Sequence, residues 1–478
     1  MGRYRAYPEY KDSGVEWLGN IPSDWDMWKI AHACPYVASG TTPKSDSDFY
    51  YIGGENLWVT TGELRENIVT DTQKKVTNQA LIDMPTLRLH PKGSVAIAMY
   101  GATIGRLGIF GSRATTNQAC CVMPPSKVLH NKYLFYWLYA TRQEIINLSS
   151  GGGQPNVNQE KIASLKVSSP NFNTQSLIAN FLDHETAKID TLIEKQQQLI
   201  KLLKEKRQAV ISHAVTKGLT NLPGANLNSS SAAGPKGEGR DSPSNPDAPM
   251  RDSGVEWLGE VPEGWGIVRL KRLARKITDG EHISPTFTEE GMPFLSAKDI
   301  RERTINYDVD KFVVLEDGYK FRRRCNPDVG DILIVSRGAT IGRVGLVEDD
   351  IVFCLLGSVI LLKPKKNYVD PVFVYYMLNQ DLAKEQFFLA SQASAQQAIY
   401  LVDVAELIVT LPPLVEQVCI RNHLEKQVGK IDNLIKEAEK VINLLQERRT
   451  ALISAAVTGK IDVRDWAAPE QHNKEDAA

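Results

Sequence analysis

A six-residue segment that could contact phosphate groups occurs twice in this chain. Residues 101–106 and 338–343 both read Gly-Ala-Thr-Ile-Gly-Arg, and each copy lies between two apolar runs. Glycines with positive φ would allow a tight turn between two strands there. The bare backbone N–H groups and nearby hydroxyl and guanidinium groups could also approach phosphates. We favour the turn for the glycines and keep both interpretations for the arginines. The candidate contacts are Thr103, Arg106, Arg337, Thr340 and Arg343.

Polar loops occur at matching positions early in each half. Residues 39–44 and 58–64 in the first half match 278–282 and 294–300 in the second, with different letters. Solvated turns are the usual structure of such strings. Their shared position suggests instead one scaffold that presents two different surfaces, and base edges are read by side chains of this kind. The candidates in these loops are Thr41, Thr42, Lys44, Thr60, Thr61, His282, Ser296 and Lys298.

A glycine-rich run at residues 151–153 could resemble a phosphate cradle. The pattern G-x-x-x-x-G-K-[ST] occurs nowhere in the chain, which argues against a nucleotide-hydrolysing loop. The second half carries a glutamine-rich run in its place, residues 391–397. Polar candidates from the two runs are Gln154, Asn156, Asn158, Gln396 and Gln397. The basic runs 269–272 and 322–324 are typical of solvated faces, with phosphate contact as the minor alternative.

Two further landmarks show that the chain is duplicated. The octapeptide at residues 12–19 recurs letter for letter at 252–259, and Lys-Ile-Asp at 188–190 recurs at 430–432. Landmarks in the same order at a nearly constant offset indicate two copies of one domain. Solenoid repeats are much shorter, about 20–50 residues. A duplicated binding domain is typical of a protein that binds two similar ligands, or one ligand with two similar halves.

Composition narrows the class of protein. The net charge is −1, so no overall positive field indicates nucleic-acid binding, although an acidic region can offset basic clefts in that sum. The six cysteines form no C-x-x-C pair and are expected to be reduced, with Cys120 and Cys354 in the core. The eight scattered histidines give little support for a metal site. We expect no signal peptide and no membrane-spanning helix, hence a cytoplasmic protein.

Short apolar runs bounded by glycines predict a mixed or antiparallel sheet in each half, at residues 95–99 and 332–335. Helical segments are expected at 133–138 and 372–378. A further strand should close each half, at 165–167 and 407–409. The expected fold class is therefore α+β, with two tandem mixed domains.

Each half then ends in a long helix whose apolar positions are spaced alternately by four and three. That spacing is typical of a coiled-coil seam. Two such helices in one chain can bury their stripes on each other, most simply as an antiparallel pair with pseudo-two-fold symmetry. The predicted interface residues are Ile178, Leu182, Ile189, Leu192, Leu199 and Leu203, with Ile420, Leu424, Ile431, Leu434, Val441 and Leu445.

These patterns give the expected domain boundaries. A stretch rich in Asn, Ser, Gly and Pro is expected to be a flexible linker, and the end of the chain to be a polar tail. The predicted segments are an N-terminal arm with the first mixed domain (1–172), the first long helix (173–218), the linker (219–249), the second mixed domain (250–413), the second long helix (414–460) and the tail (461–478).

Catalytic patterns are missing from the sequence. It contains no N-P-P-[YF] or D-P-P-Y string that would hold a flipped adenine, and no Ser/His/Asp or Cys/His grouping recurs between the halves. We therefore expect no catalytic residues and no bound cofactor or metal. The alternatives are a nuclease or methyltransferase fused to a recognition domain, and a coiled-coil adaptor that never touches DNA. The large duplicated mixed regions argue against a mere adaptor.

Together, the repeated octapeptide, the Gly-Ala-Thr-Ile-Gly-Arg segment, Pro-Pro-Leu-x-Glu-Gln at 412–417 and the Lys-Ile-Asp helices resemble the specificity subunit of type I restriction–modification enzymes. The first copy departs from this pattern at residues 170–175, which read Pro-Asn-Phe-Asn-Thr-Gln. The resemblance implies two target-recognition domains that read a split, asymmetric DNA sequence. The long helices would be spacers that pack on each other and on the methylating subunits.

The resemblance also implies partners. The chain would be the non-catalytic subunit of a complex that methylates adenine N6 and cleaves DNA with ATP. It would bind two modification subunits and, optionally, two motor-nuclease subunits. Those partners would use S-adenosylmethionine, ATP and Mg²⁺, and this chain would bind none of them.

Overall fold

The computed structural model describes residues 4–44, 48–149, 156–219, 249–283, 285–392 and 397–467. Two compact units make up the chain: unit 1 contains residues 1–196 and 440–478, and unit 2 contains residues 197–439. The division falls within both long helices, so each helix contributes one part to each unit. Nearly all of the predicted linker, and the candidates Gln154 and Gln396, lie outside the described residues.

Unit 1 has mixed sheets, as predicted. Its strands are β1 (Tyr10–Asp12), β2 (Asn20–Pro22), β3 (Asp26–Lys29), β4 (Ala38–Ser39), β5 (Asn56–Val59), β6 (Asn67–Val69), β7 (Lys75–Val76), β8 (Val95–Ala98), β9 (Leu107–Phe110), β10 (Ala114–Thr116), β11 (Cys120–Met123) and β12 (Lys166–Ser169). The main sheet has the order β4-β11-β8-β9-β6, and a smaller sheet has the order β10-β5-β7. The pairs β6–β9 and β10–β5 are parallel and the other pairs are antiparallel. Two-stranded ladders join β1 to β2 and β3 to β12.

The helices of unit 1 cover its sheets. They are α1 (Ile30–Ala33), α2 (Asp48–Tyr51), α3 (Asn78–Asp83), α4 (Asn131–Ala140), α5 (Arg142–Asn147), α6 (Gln159–Ser164), the first part of α7 (Phe172–Lys217) and the last part of α12 (Leu414–Val457). All four residues of β8 are buried, as expected for a continuous apolar strand in the middle of a sheet. Helix α4 packs its Tyr133 and Trp137 into the same core. The predicted strand at 95–99 and helix at 133–138 are thus confirmed.

Unit 2 repeats this plan with small changes. Its strands are β13 (Met250–Asp252), β14 (Glu260–Pro262), β15 (Gly266–Arg269), β16 (Ala274–Asp279), β17 (Met292–Leu295), β18 (Phe312–Val313), β19 (Ile332–Val335), β20 (Val344–Leu346), β21 (Cys354–Leu355), β22 (Val359–Pro364) and β23 (Ile408–Leu411). Its helices are the last part of α7, α8 (Leu315–Arg322), α9 (Pro371–Asn379), α10 (Asp381–Gln392), α11 (Leu401–Glu406) and the first part of α12 (Leu414–Val457). The main sheet is antiparallel, in the order β16-β22-β19-β20. The smaller sheet, β18-β17-β21, contains one parallel pair, and ladders join β13 to β14 and β15 to β23.

In each unit, α7 and α12 pack against each other antiparallel. In unit 1 an early part of α7, including Ile178, shares a core with Val457 near the end of α12. In unit 2 a late part of α7, including Val215, shares a core with Ile420 near the start of α12. The two helices therefore run in opposite directions.

The repeated Lys-Ile-Asp segment supplies an ion pair to this packing in both units. Asp190 accepts from Arg449 Nε at 2.9 Å in unit 1, and Asp432 lies 3.0 Å from Arg207 Nε in unit 2. The isoleucine of each segment is buried. The motif therefore contributes to the pairing of α7 with α12.

The predicted seam of the two helices is correct at their buried ends and wrong in their middle. Ile178, Leu182, Ile189, Ile420, Leu424 and Ile431 are buried, and Leu203 and Leu445 are half-buried. Four predicted seam residues are instead exposed: Leu192 at 47 %, Leu199 at 43 %, Leu434 at 56 % and Val441 at 38 %. The half-buried positions there are one residue later, at Ile193, Ile200, Ile435 and Ile442.

The physical reason is an extra step of four near the start of each seam. The buried and half-buried positions that follow the seam run 178, 182, 186, 189 and 193 in α7, and 420, 424, 428, 431 and 435 in α12. Two successive steps of four insert a stutter into the heptad pattern. Every second later position then moves by one residue, from 192 to 193 and from 199 to 200 in α7, whereas positions 189 and 203 stay in the seam. The same stutter occurs in both helices, at matching positions.

The predicted tail also begins too early. Ile461 and Val463 are buried in the core of unit 1, and Trp466 packs on the ring of Phe181 at a centroid distance of 5.7 Å. Apolar burial therefore continues well past the end of α12. Among the described residues, no helix combines the length and apolar character needed to cross a membrane.

Candidate functional site

In unit 1, the polar loops predicted from the sequence meet at one sheet edge. Strands β5 and β10 are parallel, so both end at this edge. Loop 40–44, which precedes β5 in the chain, crosses over the ends of these two strands. Thr41 N donates to Thr116 O at 3.0 Å, and Trp58 Nε1 donates to Thr41 O at 3.1 Å. Asn117 N donates to Val59 O at 3.1 Å. Loops 40–44, 60–63 and 116–118 therefore form one surface, the strand-end cluster of unit 1.

Unit 2 builds the same arrangement from other residues. Strands β17 and β21 are parallel and end together. Leu356 N donates to Leu295 O at 2.8 Å, and Glu281 N donates to Leu355 O at 2.7 Å. Loops 279–283 (Ser284 lies outside the described residues), 296–299 and 355–358 form the strand-end cluster of unit 2.

A glycine allows the close crossing in each unit, and sequence reasoning missed its role. A Cβ on Gly40 would lie 1.8 Å from Thr116 O, and one on Gly280 would lie 2.2 Å from Leu355 O. Any larger residue would push the crossing loop off the strand ends. Both glycines occupy matching places in the polar loops, and that match was the available signal.

The turn after the first parallel strand has the same hydrogen bonding in both units. Thr60 N donates to Glu63 Oε2 at 2.9 Å, and Ser296 N donates to Asp299 Oδ2 at 2.8 Å. Between these anchors unit 1 carries Thr-Gly at positions 61 and 62, whereas unit 2 carries Ala-Lys at 297 and 298. The scaffold of the turn is therefore shared and its tip differs.

The repeated six-residue segment forms a turn in each unit, as predicted. Its glycines have positive φ: 63° at Gly101 and 78° at Gly105, with 96° at Gly338 and 79° at Gly342. Isolated bridges pair Tyr100 with Asn156 and Arg337 with Ala398. The structure thus brings this turn beside the segment that follows the glycine-rich or glutamine-rich run. We call residues 100–106 with 156–158, and 337–343 with 397–398, the glycine-turn clusters.

Backbone hydrogen bonds place the two clusters of each unit side by side. In unit 1 Met99 N donates to Ala119 O at 2.8 Å, and Val157 N donates to Met99 O at 3.0 Å. In unit 2 Ser336 N donates to Ser358 O at 2.9 Å, and Ile399 N donates to Ser336 O at 2.9 Å. Each unit therefore presents one continuous polar edge.

Some candidate side chains on these edges have no partner among the described residues, and others are engaged. The unengaged ones are Lys44, Thr61, Arg106, Asn156, Arg337, Thr340 and Gln397. The engaged ones bond within their own unit: Thr41 to Thr86, Thr42 to Gln118, Thr103 to Tyr100 O, Lys298 to Asp310, and Arg343 to Ile300 O. Thr60 and Ser296 anchor their turns, and Asn158 caps α6. Free side chains remain available to a ligand, whereas engaged ones must first lose a contact.

Two participants were missed in the sequence. Gln118 lies in the strand-end cluster of unit 1 through its bond to Thr42. Arg324 comes from the basic run taken as a solvated face, and it pairs with Asp279, which also lies 2.7 Å from His282 Nε2. The cluster of unit 2 therefore carries more charge than that of unit 1.

The buried titratable groups near the sheets are structural. Burial raises the pKa of the Cys121 thiol to about 12, so it stays protonated in the core, and Cys120 and Cys354 are buried as predicted. Burial, together with the positive charge of Arg88, lowers the pKa of His90 to about 4. Across the ranges that the structure covers, no group of three or more His, Cys, Asp or Glu side chains could hold a metal ion.

Comparison with known proteins gives consistent similarities. The model of the type I restriction modification DNA specificity domain matches residues 22–202 and again 262–444. The type I restriction enzyme MjaVIII specificity subunit of Methanocaldococcus jannaschii is 22 % identical, over 93 % of this chain and 95 % of its own length. The type I restriction enzyme EcoBI specificity subunit of Escherichia coli is 22 % identical, over 74 % and 71 %. A solved chain from work on complex assembly and conformational transition of the type I R-M system superposes with a TM-score of 0.66 at 15 % identity, covering 92 % of this chain and 99 % of that one.

Proposed function

Because this chain belongs to the type I restriction–modification DNA specificity family, we propose that its two units read the two halves of one bipartite, asymmetric DNA site. The observation that carries this proposal is the polar edge that both units build from one scaffold with different exposed side chains. A shared scaffold gives two half-site readers of one kind, and different side chains give two different half-sites. Sequence is read by such contacts to base edges, whereas phosphate contacts fix position.

The proposed role is non-catalytic and cytoplasmic. The chain would direct two modification subunits, and optionally two motor-nuclease subunits, to the site. Those partners would bring S-adenosylmethionine, ATP and Mg²⁺. In this proposal the polar edges of the two units would bind DNA, and the long helices would bind the partner subunits.

Exposed apolar positions on the long helices support the scaffolding part of the proposal. Leu192, Leu199 and Leu202 of α7 correspond to Leu434, Val441 and Leu444 of α12 at one constant offset, and all six are exposed. Burying them would give two copies of one partner equivalent docking places. Replacing Leu202 and Leu444 by Glu should abolish copurification of the modification subunits while the helical circular dichroism of the chain is retained.

An exchange of domains tests the bipartite reading. Residues 20–170 are replaced by the corresponding region of another family member, and genomic methylation is profiled in cells that carry the chain with its modification subunits. We expect only one half of the methylated sequence to change. A change in both halves, or in neither, would contradict the proposal.

DNA binding by the complex should also depend on salt, because phosphate contacts release counterions. A slope near zero in a plot of log affinity against log salt concentration would favour the alternative of an adaptor that does not touch DNA. A cleavage assay of the isolated chain with Mg²⁺ addresses the alternative of a fused nuclease, which predicts cutting without partners.

A further inference from the structure

We propose that the two clusters of each polar edge contact different parts of the DNA. The six shared residues of the glycine-turn cluster, 101–106 or 338–343, contact phosphates at either half-site, and the strand-end cluster contacts the bases. This inference rests on the proposed function and assigns sequence choice to a few side chains. The two clusters adjoin in both units, so one DNA segment could contact both.

The glycine turn cannot supply different sequence preferences to the two units. Its six letters are identical in both, and its glycines adopt the same left-handed conformation. A half-site reader that used only these residues would select the same bases twice. The phosphate backbone is the part of DNA that is the same at every position, so identical side chains suit it.

Arg106 is the clearest phosphate contact of the two repeated arginines. Its side chain is exposed and has no partner among the described residues of unit 1. Arg343 is half-buried, because its Nη1 donates to Ile300 O at 3.2 Å. A variant at Arg106 therefore removes a free cation without breaking an internal bond.

The strand-end turn has the same hydrogen bonding in both units but different residues at its tip. Recognition of different bases by the two units requires that combination. Thr60 with Glu63, and Ser296 with Asp299, fix the turn by equivalent hydrogen bonds. The tip differs in chemistry: unit 1 offers the hydroxyl of Thr61, and unit 2 offers the ammonium of Lys298.

That difference predicts which base unit 2 prefers. A lysine ammonium has only donors, and guanine presents two acceptors, O6 and N7, in the major groove. The side chain of Lys298 is 59 % exposed, and its nearest carboxylate, on Asp310, is 3.8 Å away and itself exposed, so it is loosely held. Lys298 would lose only this loose contact on turning to a guanine, whereas a threonine hydroxyl can pair with either a donor or an acceptor.

The test exchanges the tips between the units. Ala297→Thr with Lys298→Gly gives unit 2 the tip of unit 1, and Thr61→Ala with Gly62→Lys does the reverse. The fold should accept both pairs, because a Cβ on Gly62 would meet only Thr60 Oγ1, at an ordinary 3.6 Å. The full chain is assembled with its modification subunits, and both the methylated genomic sequence and competition between duplexes are measured.

We expect the unit 2 exchange to lower discrimination for a guanine at one position of one half-site by about tenfold or more, with the other half-site unchanged. The reverse exchange should raise preference for guanine at one position of the other half-site. If one variant fails to fold, the other still decides the question. The proposal is overturned if folded, assembled exchange variants keep the wild-type sequence.

Arg106→Gln is the matched control for the other cluster. It should weaken binding to all duplexes alike, with base preference unchanged. The slope of log affinity against log salt concentration should become less steep by about one. A changed methylated sequence in this variant would also overturn the proposed separation of phosphate and base contacts. Failure of the proposed function itself would be seen separately, as a wild-type complex with no sequence preference.

Discussion

The two units keep the same polypeptide frame while their exposed edges and one of their internal contacts differ. The crossing glycines, the positive-φ turns and the Asp–Arg pair of the long helices recur in both units. By contrast, the tip residues of the strand-end turn differ in charge. The contacts that set the backbone position are therefore shared by the two units, and the outward-facing tip residues are not. The proposed function, with two DNA-recognition units on one frame, requires that combination.

One internal difference gives the largest expected effect on stability. Just before β19 in unit 2, Asp331 pairs with Lys363 Nζ at 2.6 Å, and both side chains are almost fully buried. At the corresponding place before β8 in unit 1, the Ser94 hydroxyl donates to Pro91 O at 2.7 Å. Unit 2 thus holds charges where unit 1 holds a neutral hydrogen bond.

Lys363→Met should destabilise the protein by about 3–5 kcal/mol, because it leaves a buried carboxylate without its cation. The loss in the free energy of unfolding is measured by urea unfolding, with amide hydrogen exchange in β19 as the local probe. Adding Asp331→Ser should restore much of it, since it removes the buried carboxylate and leaves only Asp328, the second partner of Lys363, whose side chain is 53 % exposed. Equal losses in the single and double variants would show that the ion pair is not the cause.

The pH dependence of unit 1 should reflect His90. Burial and the charge of Arg88 lower its folded pKa to about 4 from the usual value of 6.5. Its neutral form therefore contributes stability that is present above pH 6.5 and lost as the pH falls towards 4. The shift corresponds to about 3 kcal/mol over that window.

His90→Gln should flatten this part of the stability profile. The two chains are compared by urea unfolding between pH 7 and pH 4, with exchange protection in β8 as the local probe. Parallel profiles for the two chains would contradict the assignment, and a steeper wild-type profile confined to unit 1 would support it.

A helix cap distinguishes α9 from α4 and gives a smaller effect. Asp370 accepts from Phe373 N at 2.9 Å and pairs with Arg421 at 2.7 Å. His130, at the start of α4, makes no side-chain cap. Asp370→Ala should cost about 1–2 kcal/mol, measured by urea unfolding. Asp370→Asn keeps an acceptor and should cost less, which separates the cap from the ion pair.

Much of this frame could be predicted from local sequence. The apolar runs at β8 and β19, the helices α4 and α9 and the glycine turns are encoded by nearby residues, and the structure confirms them. The convergence of the polar loops could not be predicted as geometry, because it depends on parallel pairing between β5 and β10, which are far apart in the chain. Gln118 lies just after β10, so this pairing brings it into the cluster, where it bonds to Thr42.

The long helices show where periodicity misleads. Leu192 and Leu434 fit an uninterrupted alternation of four and three, yet they are exposed. Thr186 and Val428 occupy the extra step that shifts the seam, and a threonine at a buried position gave no apolar signal. The hydroxyl of Thr186 is satisfied by Leu182 O at 2.7 Å, within its own helix. A polar residue with a local partner can therefore belong to a seam that a search for apolar residues overlooks.

The repeated Lys-Ile-Asp segments provide the smallest and most symmetrical test. Asp190→Asn in unit 1 and Asp432→Asn in unit 2 each remove one partly exposed ion pair between α7 and α12. Each change should cost about 0.5 kcal/mol, because water weakens such partly exposed pairs, and less at high salt, because dissolved ions screen them further. Neither arginine is left isolated, since Arg449 also lies over the Tyr139 ring and Arg207 also approaches Glu302. The two costs, from urea unfolding at two salt concentrations, should therefore agree within a few tenths of a kcal/mol. A large loss in one variant alone would mean that only one of the two repeated pairs stabilises its unit, and the equivalence of the helix pairing in the two units would then fail.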